Sequence, residues 1–272
     1  MHSKQVSIGI VNFRTPELTR VCLRSLRKFS DLSRVEIIVV DNNSQDDSLE
    51  YLRSLDWITL IERAPIAGET PADSHARALD MALAKASAPY FMAMHTDSIV
   101  ISPRWLDYFI AYIEKNEKIG GVGSWKLEVQ SPLKRFGKSI EEFFQEHILK
   151  PLTGRRRGRA SGENTDHYYL RSHGVLYRAA LLRDYTPGFC GGDTAGKMAH
   201  LALVEHGFEM VFLPASELMR YMRHLNHATM ILNPQIAGRG TGSAKSRRRL
   251  RREMQRIKFD EILNDSSLDF SA

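Results

Sequence analysis

Cysteine is scarce in this 272-residue chain, which carries only Cys22 and Cys190. So distant a pair has no metal-ligand spacing, and the expectation is two reduced thiols of a cytoplasmic protein rather than a disulfide framework. Long apolar runs are missing too. No stretch of about 18 apolar residues occurs, which argues against a hydrophobic membrane-spanning helix. The opening MHSKQVSIGI lacks the apolar core and small-residue cleavage site of a secretory leader, so none is expected. Few aromatic residues interleave with the basic runs, which argues against a base-stacking nucleic-acid surface, and no specific nucleic acid is expected as a partner. Internal repeats are absent.

What is present is the composition of a folded soluble protein, 43% apolar with a net charge of +6. The charge is uneven. Basic residues gather in GRRRGRA (154–160) and KSRRRLRRE (245–253). Such clusters are solvated surface, or they hold nucleic acid, anionic lipid or a phosphorylated substrate.

Apolar patterning alternates between two periods. Residues 6–11 alternate and are β-branched, as in a strand. Pro16 opens a helical stretch to about residue 28, its missing N–H costing nothing in a first turn. VEIIVV (35–40) is nearly all apolar, as a strand covered on both faces requires. DNNSQDDS follows and can cap a helix over about 46–54. Residues 57–61 and 90–94 read as strands, and 71–87 and 103–116 as helices. Strands alternating with helices imply a parallel sheet with helices on both faces, whose ligands bind beyond the carboxyl ends of the strands. Three polar clusters fall at those ends: residues 12–14, 41–44 and 95–97.

The second half is less regular. Residues 120–125 read as a short strand, and 130–165 as an excursion around an amphipathic helix near 139–149. Residues 167–178 read as a strand followed by a turn of helix. In FCGGDTAGKMAHLALVEHGFEMVFLP (189–214) a helix is expected from Asp193 to about residue 206, ended by Gly207, then a strand over 209–213. A basic amphipathic helix is expected beyond residue 245, with Leu250, Met254, Ile257 and Leu263 near one face.

VSIGIVNFRTPELTRVCLRSL, VEIIVVDNNSQDDS, and an apolar strand ending in an aspartate-bearing turn resemble the family 2 glycosyltransferases of GT-A fold, in particular rhamnosyltransferase-like bacterial members. GGDTAGKMAHLALVEHGFEMVFLP, followed by histidines, resembles the acceptor half of the same family. The resemblance covers about residues 5–130 and 165–230. It implies an α/β, Rossmann-like, mostly parallel central sheet flanked by helices over residues 1–235, with a nucleotide-binding half (1–125) and an acceptor half (126–235). Residues 236–272 would form a basic helical extension.

The implied reaction moves a sugar from a nucleotide diphosphate sugar to an acceptor hydroxyl, with inversion at the anomeric carbon. The departing diphosphate needs positive charge, usually from Mn2+ or Mg2+, and the acceptor needs a carboxylate base. By resemblance Asp41 meets the base or ribose, although a strand-end aspartate is equally a turn or cap residue. Asn12, Phe13 and Arg14 would line the same pocket. Asp80 stands near where the family often carries an asparagine beside the nucleotide, and His75 and Arg77 of the same helix would approach the diphosphate or be solvated. The family pattern Asp-x-Asp reads His95-Thr96-Asp97 here: the final aspartate is kept, and His95 replaces the first. Imidazole suits Mn2+ better than Mg2+. A late histidine often adds a ligand, and MRYMRHLNHATM offers His224 and His227, on one face if helical and diverging if extended. Asp193 is the expected catalytic base, at the head of its helix, where it would also serve as a cap.

The glycan acceptor would be a cell-surface chain or its lipid-linked precursor. The basic segments 154–160 and 245–263 would then rest on an anionic inner membrane face, although the tail would equally pack on a second subunit. Two other readings compete. Nucleotidyltransferases share such sheets but need a glycine-rich basic loop where VNFRTPEL stands. A non-catalytic binding module would use the basic tail for nucleic acid, lipid or a protein partner, and would explain the altered Asp-x-Asp.

Overall fold

A computed structural model describes residues 4–125, 169–225, 228–232 and 244–270. The helix expected over 139–149, the arginine run 154–160 and His227 lie outside the described residues.

Strand β1 (Val6–Asn12) is central. It pairs in parallel with β2 (Val35–Asp41) on one side and β4 (Tyr90–His95) on the other. β3 (Ile58–Glu62) adds in parallel outside β2. Beyond β4 the direction reverses. β7 (Gly174–Arg178) runs antiparallel to both β4 and β6 (Ile119–Gly123), and β8 (Glu209–Phe212) closes the far edge parallel to β6. The seven-stranded order is β3-β2-β1-β4-β7-β6-β8. A two-stranded antiparallel ribbon, β5 (Ser98–Val100) with β9 (Met222–His224), stands apart from it.

Alternation along the strands divides the core. Val6, Ile8 and Ile10 of β1, with Tyr90, Met92 and Met94 of β4, face α1 (Pro16–Phe29), α2 (Asp47–Arg53) and α4 (Trp105–Ile113). Val11, Ile38, Val40, Phe91 and Ala93 face the other way, against α3 (Pro71–Lys85), α5 (Ala179–Tyr185) and α6 (Lys197–Glu205). Each fully buried leucine or isoleucine contributes about 1.5–3 kcal/mol, so a sheet packed on both faces is rigid at its center and presents its strand ends as fixed points. The expected cap after β2 is present: the Asp46 carboxylate accepts from the Ser48 N–H at 3.0 Å.

Two boundaries differ from expectation. The strand read over 167–178 begins only at Gly174, where a side chain would meet the Met222 methyl at 2.8 Å. The helix read from Asp193 begins at Lys197, because Gly196 at φ +80 sets the chain outside helical geometry just before it.

The tail is two helices, not one. Lys258, at φ 56, breaks it between α9 (Ala244–Arg256) and α10 (Phe259–Leu263). Its apolar face is spent on the protein: Leu250 and Ile257 are buried, and Met254 and Leu263 pack half-buried on the same core as α1. The final turn, Ser266–Asp269, is pinned by the buried Arg24, paired with Asp269 at 2.5 Å, and by Tyr51, whose hydroxyl donates to Asp269 at 2.9 Å. The short helices α7 (Ala215–Leu218) and α8 (Ala228–Leu232) flank β9.

Candidate functional site

His95 is the last residue of β4, and the chain turns at Thr96 and Asp97 into β5. β5 then binds β9 with Ser98 opposite His224, and the Leu225 N–H donates to the Asp97 carbonyl at 2.8 Å. This ribbon carries a residue more than a hundred positions away onto Asp97. His224 Nε2 lies 3.1 Å from Asp97 Oδ1, and His95 Nδ1 lies 3.8 Å from the same oxygen. One atom from each of the three side chains lies within 4.8 Å of the others. Of the two histidines anticipated, His224 is brought to the site.

Sequence reasoning missed His173. The β4–β7 ladder places Met94 opposite Gly174, so the residue before Gly174 falls beside His95. The His173 ring stacks on His224 at 4.7 Å, and its Nε2 lies 3.0 Å from the Ser124 hydroxyl. The available signal was a histidine one step before an apolar strand. His75, on α3, meets His95 edge-on at 4.9 Å. Four imidazoles thus surround one carboxylate.

Burial governs the electrostatics here. It pushes His75 down to about 4, and burial with His75 nearby pushes His95 down to about 3, against the pull of Asp97. His173 is likewise lowered, first by burial. Burial alone would raise the Asp97 carboxyl, but His224, then His95 and His173, hold it below the ordinary carboxylate range. His75, His95 and His173 are therefore neutral at neutral pH beside the ionised Asp97, the protonation states in which imidazole and carboxylate are metal ligands. Two buried atoms, Asp97 Oδ1 and His75 Nε2, accept or donate no well-directed hydrogen bond among the described residues. His95 Nε2, by contrast, is held by the Ser172 hydroxyl at 2.9 Å.

The polar cluster at the ends of β1 and β2 is different. Asn12 is fully buried, and its Nδ2 donates to Asp41 Oδ1 (2.7 Å), Ser44 Oγ (2.9 Å) and Ser48 Oγ (2.7 Å). Its Oδ1 accepts from Thr19 at 2.6 Å. Asp41, only 2% exposed, also accepts from the Ser44 hydroxyl at 2.5 Å and the Ser44 N–H at 3.2 Å. The side chains of Asn12 and Asp41 are thus hydrogen-bonded to one another and to the turn that follows β2. Phe13 and Arg14 are half-exposed beside them, Arg14 at φ 50 with its guanidinium over the Phe13 ring.

Asp80, on α3, is engaged by the loop that precedes α6. Its carboxylate accepts from the Phe189 N–H at 2.6 Å and so ties α3 to the loop before α6. Burial raises its pKa. Arg77 is exposed and pairs with Glu69 at 3.2 Å. Asp193 is neither cap nor helix head. It sits on the exposed loop ahead of Gly196, with its side chain 72% exposed and 3.3 Å from Lys197 Nζ. The Lys197 hydrogen bond lowers the pKa of its carboxyl.

Comparison with known proteins agrees with this architecture. The family model described as Glycosyl transferase family 2 matches residues 7–185. A protein of Haemophilus influenzae described as an uncharacterized glycosyltransferase is 32% identical over 95 residues, 35% of this chain and 28% of that one. The mannosyltransferase PcManGT from Pyrobaculum calidifontis, solved with GDP-Man and Mn2+, superposes with a TM-score of 0.53 at 16% identity, over 78% of this chain and 56% of that one. Residues 1–349 of S. aureus TarS, solved with UDP-GlcNAc, give 0.51 at 16% identity, over 77% and 56%. The chain thus spans less than two thirds of the relatives it matches. At these identities the structural likeness is one of fold, the GT-A arrangement expected from the sequence.

Proposed function

The chain belongs to glycosyl transferase family 2, and from that premise we propose that it moves a sugar from a nucleoside diphosphate sugar to a hydroxyl of a glycan or lipid-linked acceptor, with inversion at the anomeric carbon. The observation that carries the reading is the placement of Asp97, with His95 and His224 against it, at the carboxyl end of β4. That is the edge of the sheet where open α/β folds hold ligands.

The acceptor hydroxyl attacks the anomeric carbon from the side opposite the diphosphate. The new glycosidic C–O bond forms as the bond to the diphosphate breaks, and the hydroxyl proton passes to a carboxylate. Asp193 is assigned that proton. It is ionised beside Lys197 and exposed to an incoming acceptor. Phe13 and Arg14 offer the half-exposed surface for the nucleotide, on a turn whose shape Asn12 and Asp41 hold. Asp80 positions the loop that bears Asp193.

The donor atoms fit a divalent cation. Asp97 Oδ1 is buried without a well-directed hydrogen bond, and two imidazole nitrogens stand against it. His95, Asp97 and His224 would hold the ion, which when bound supplies positive charge against the departing diphosphate.

The lipid-facing part of the reading narrows to electrostatics. No helix among the described residues is long and apolar enough to cross a membrane, and the tail's apolar face is already packed. Lys245, Arg248 and Arg252 remain exposed on α9, away from Leu250. They would add about 1 kcal/mol each at an anionic inner membrane face. Binding to anionic vesicles should then vanish at molar salt, and binding that survives it would sink this part.

The function itself is tested by release of nucleoside diphosphate from a panel of UDP-, GDP- and dTDP-sugars with candidate acceptors. Turnover of one donor, lost in Asp193→Asn with the fold intact, is expected. A panel with no turnover, hydrolysis included, would favor a non-catalytic module.

A further inference from the structure

The donor atoms at the end of β4 narrow the identity of the ion, a selectivity that rests on the proposal that an ion binds there at all. Of the three ligand atoms brought together, two are imidazole nitrogens and one is a carboxylate oxygen. Ligand bonds of about 2.0–2.2 Å place neighboring ligand atoms roughly 3.0–3.5 Å apart around one ion. The Asp97–His224 separation of 3.1 Å is already of that size, and the Asp97–His95 separation of 3.8 Å is a small ring movement from it.

The supporting residues are in place for nitrogen ligation. Ser172 occupies His95 Nε2 at 2.9 Å, which leaves Nδ1 as the atom facing Asp97. An outer hydrogen bond of this kind fixes the ring and its tautomer. The Asp97 and His224 backbones are locked to each other by the β5–β9 ribbon and by the Leu225 N–H to Asp97 carbonyl bond at 2.8 Å. The neighbors of the three ligands are again imidazoles, His75 against His95 and His173 against His224. Among the described residues, the group meeting the metal-ligand spacing holds no second carboxylate.

Magnesium wants an octahedron of oxygens at about 2.0–2.1 Å, and of the three ligand atoms grouped here a single one is an oxygen. Two histidines and one carboxylate with open positions is the donor set that suits zinc, cobalt(II) and iron(II). Aspartate at position 95 would have made the pair of carboxylates that a hard cation prefers. We propose that His95, with His224, makes this a site for a borderline transition ion of the zinc, cobalt(II) and iron(II) class in place of magnesium, its open positions left for diphosphate oxygens.

The test needs no substrate. The chain is stripped with EDTA and titrated calorimetrically with Co2+, Mn2+ and Mg2+, and the visible absorption of bound Co2+ reports its ligands. Co2+ should bind at least about a hundredfold more tightly than Mg2+. His95→Asp should narrow the Co2+ to Mg2+ ratio about tenfold or more and change the Co2+ spectrum. Ser172→Ala removes only the outer hydrogen bond, and should weaken Co2+ about tenfold even if the first variant folds poorly. Equal affinity for Co2+ and Mg2+, or a ratio unmoved by both variants, overturns the proposed selectivity while the metal-dependent reading stands. Failure of all three ions to bind overturns the ion itself, and with it the selectivity.

Discussion

Two polar clusters sit side by side at the carboxyl ends of neighboring strands, and they behave in opposite ways. At the ends of β1 and β2, Asn12, Asp41, Ser44, Ser48 and Thr19 answer one another's donors and acceptors. At the end of β4, Asp97 and His75 keep buried atoms without a well-directed hydrogen bond among the described residues. The groups set against Asp97 Oδ1 are the imidazole nitrogens of His224 and His95, an arrangement with the donor atoms of a metal site rather than of a closed hydrogen-bond network. The first cluster holds a turn, and the second is the one that the proposed function assigns to an ion and the donor.

Substitutions should separate the two. Asp97→Ala should lower sugar transfer about a thousandfold or more if, as proposed, its carboxylate holds the ion under the diphosphate charge. Its melting temperature in EDTA should fall by no more than about 2 °C, measured by calorimetry. Asp193→Asn should cost about a hundredfold to ten-thousandfold in kcat. Its stability should stay within about 0.5 kcal/mol by urea titration, as for other exposed positions. Asp41→Ala should do the reverse, costing about 2–4 kcal/mol by removing the carboxylate that accepts from Asn12 Nδ2 and from the Ser44 hydroxyl and N–H, while Co2+ affinity is unchanged. A large loss of ion binding in Asp41→Ala would erase the distinction.

Stability should also depend on pH. His75 and His200 have folded values near 4 and His95 near 3, all lowered chiefly by burial. The unfolded chain, titrating near 6.5, therefore binds more protons between those limits, and stability is lost as pH falls from about 6.5 toward 4. Each such group withdraws about 2 kcal/mol at pH 5, so the melting temperature in EDTA should drop by at least about 4 °C from pH 7. A flat profile would mean that these imidazoles are not buried neutral.

Much of the fold was legible because it rests on local signals. β-branched alternation marks β1, a continuous apolar run marks β2, and DNNSQDDS carries the Asp46 cap. The polar cluster at the end of β4 was legible in part, because the apolar run of that strand ends in His95 and Asp97. The boundaries that failed were set by backbone, not composition: Gly196 at φ +80 displaced the helix start from Asp193 to Lys197, and Lys258 at φ 56 split the tail. His173 was invisible because its place depends on an antiparallel register between β4 and β7. The sequence likewise does not reveal whether Asp41 is free or spent, since that is decided by donors from Asn12 and Ser44.

The central claim is that the end of β4 holds the donor through Asp97. Calorimetric binding of UDP, GDP and dTDP, in EDTA and then with divalent ion, on wild type and Asp97→Ala, tests it most directly. The account predicts tight binding of one nucleotide that needs the ion and disappears in the variant. Binding that is equally tight in EDTA, or unchanged in Asp97→Ala, would contradict it.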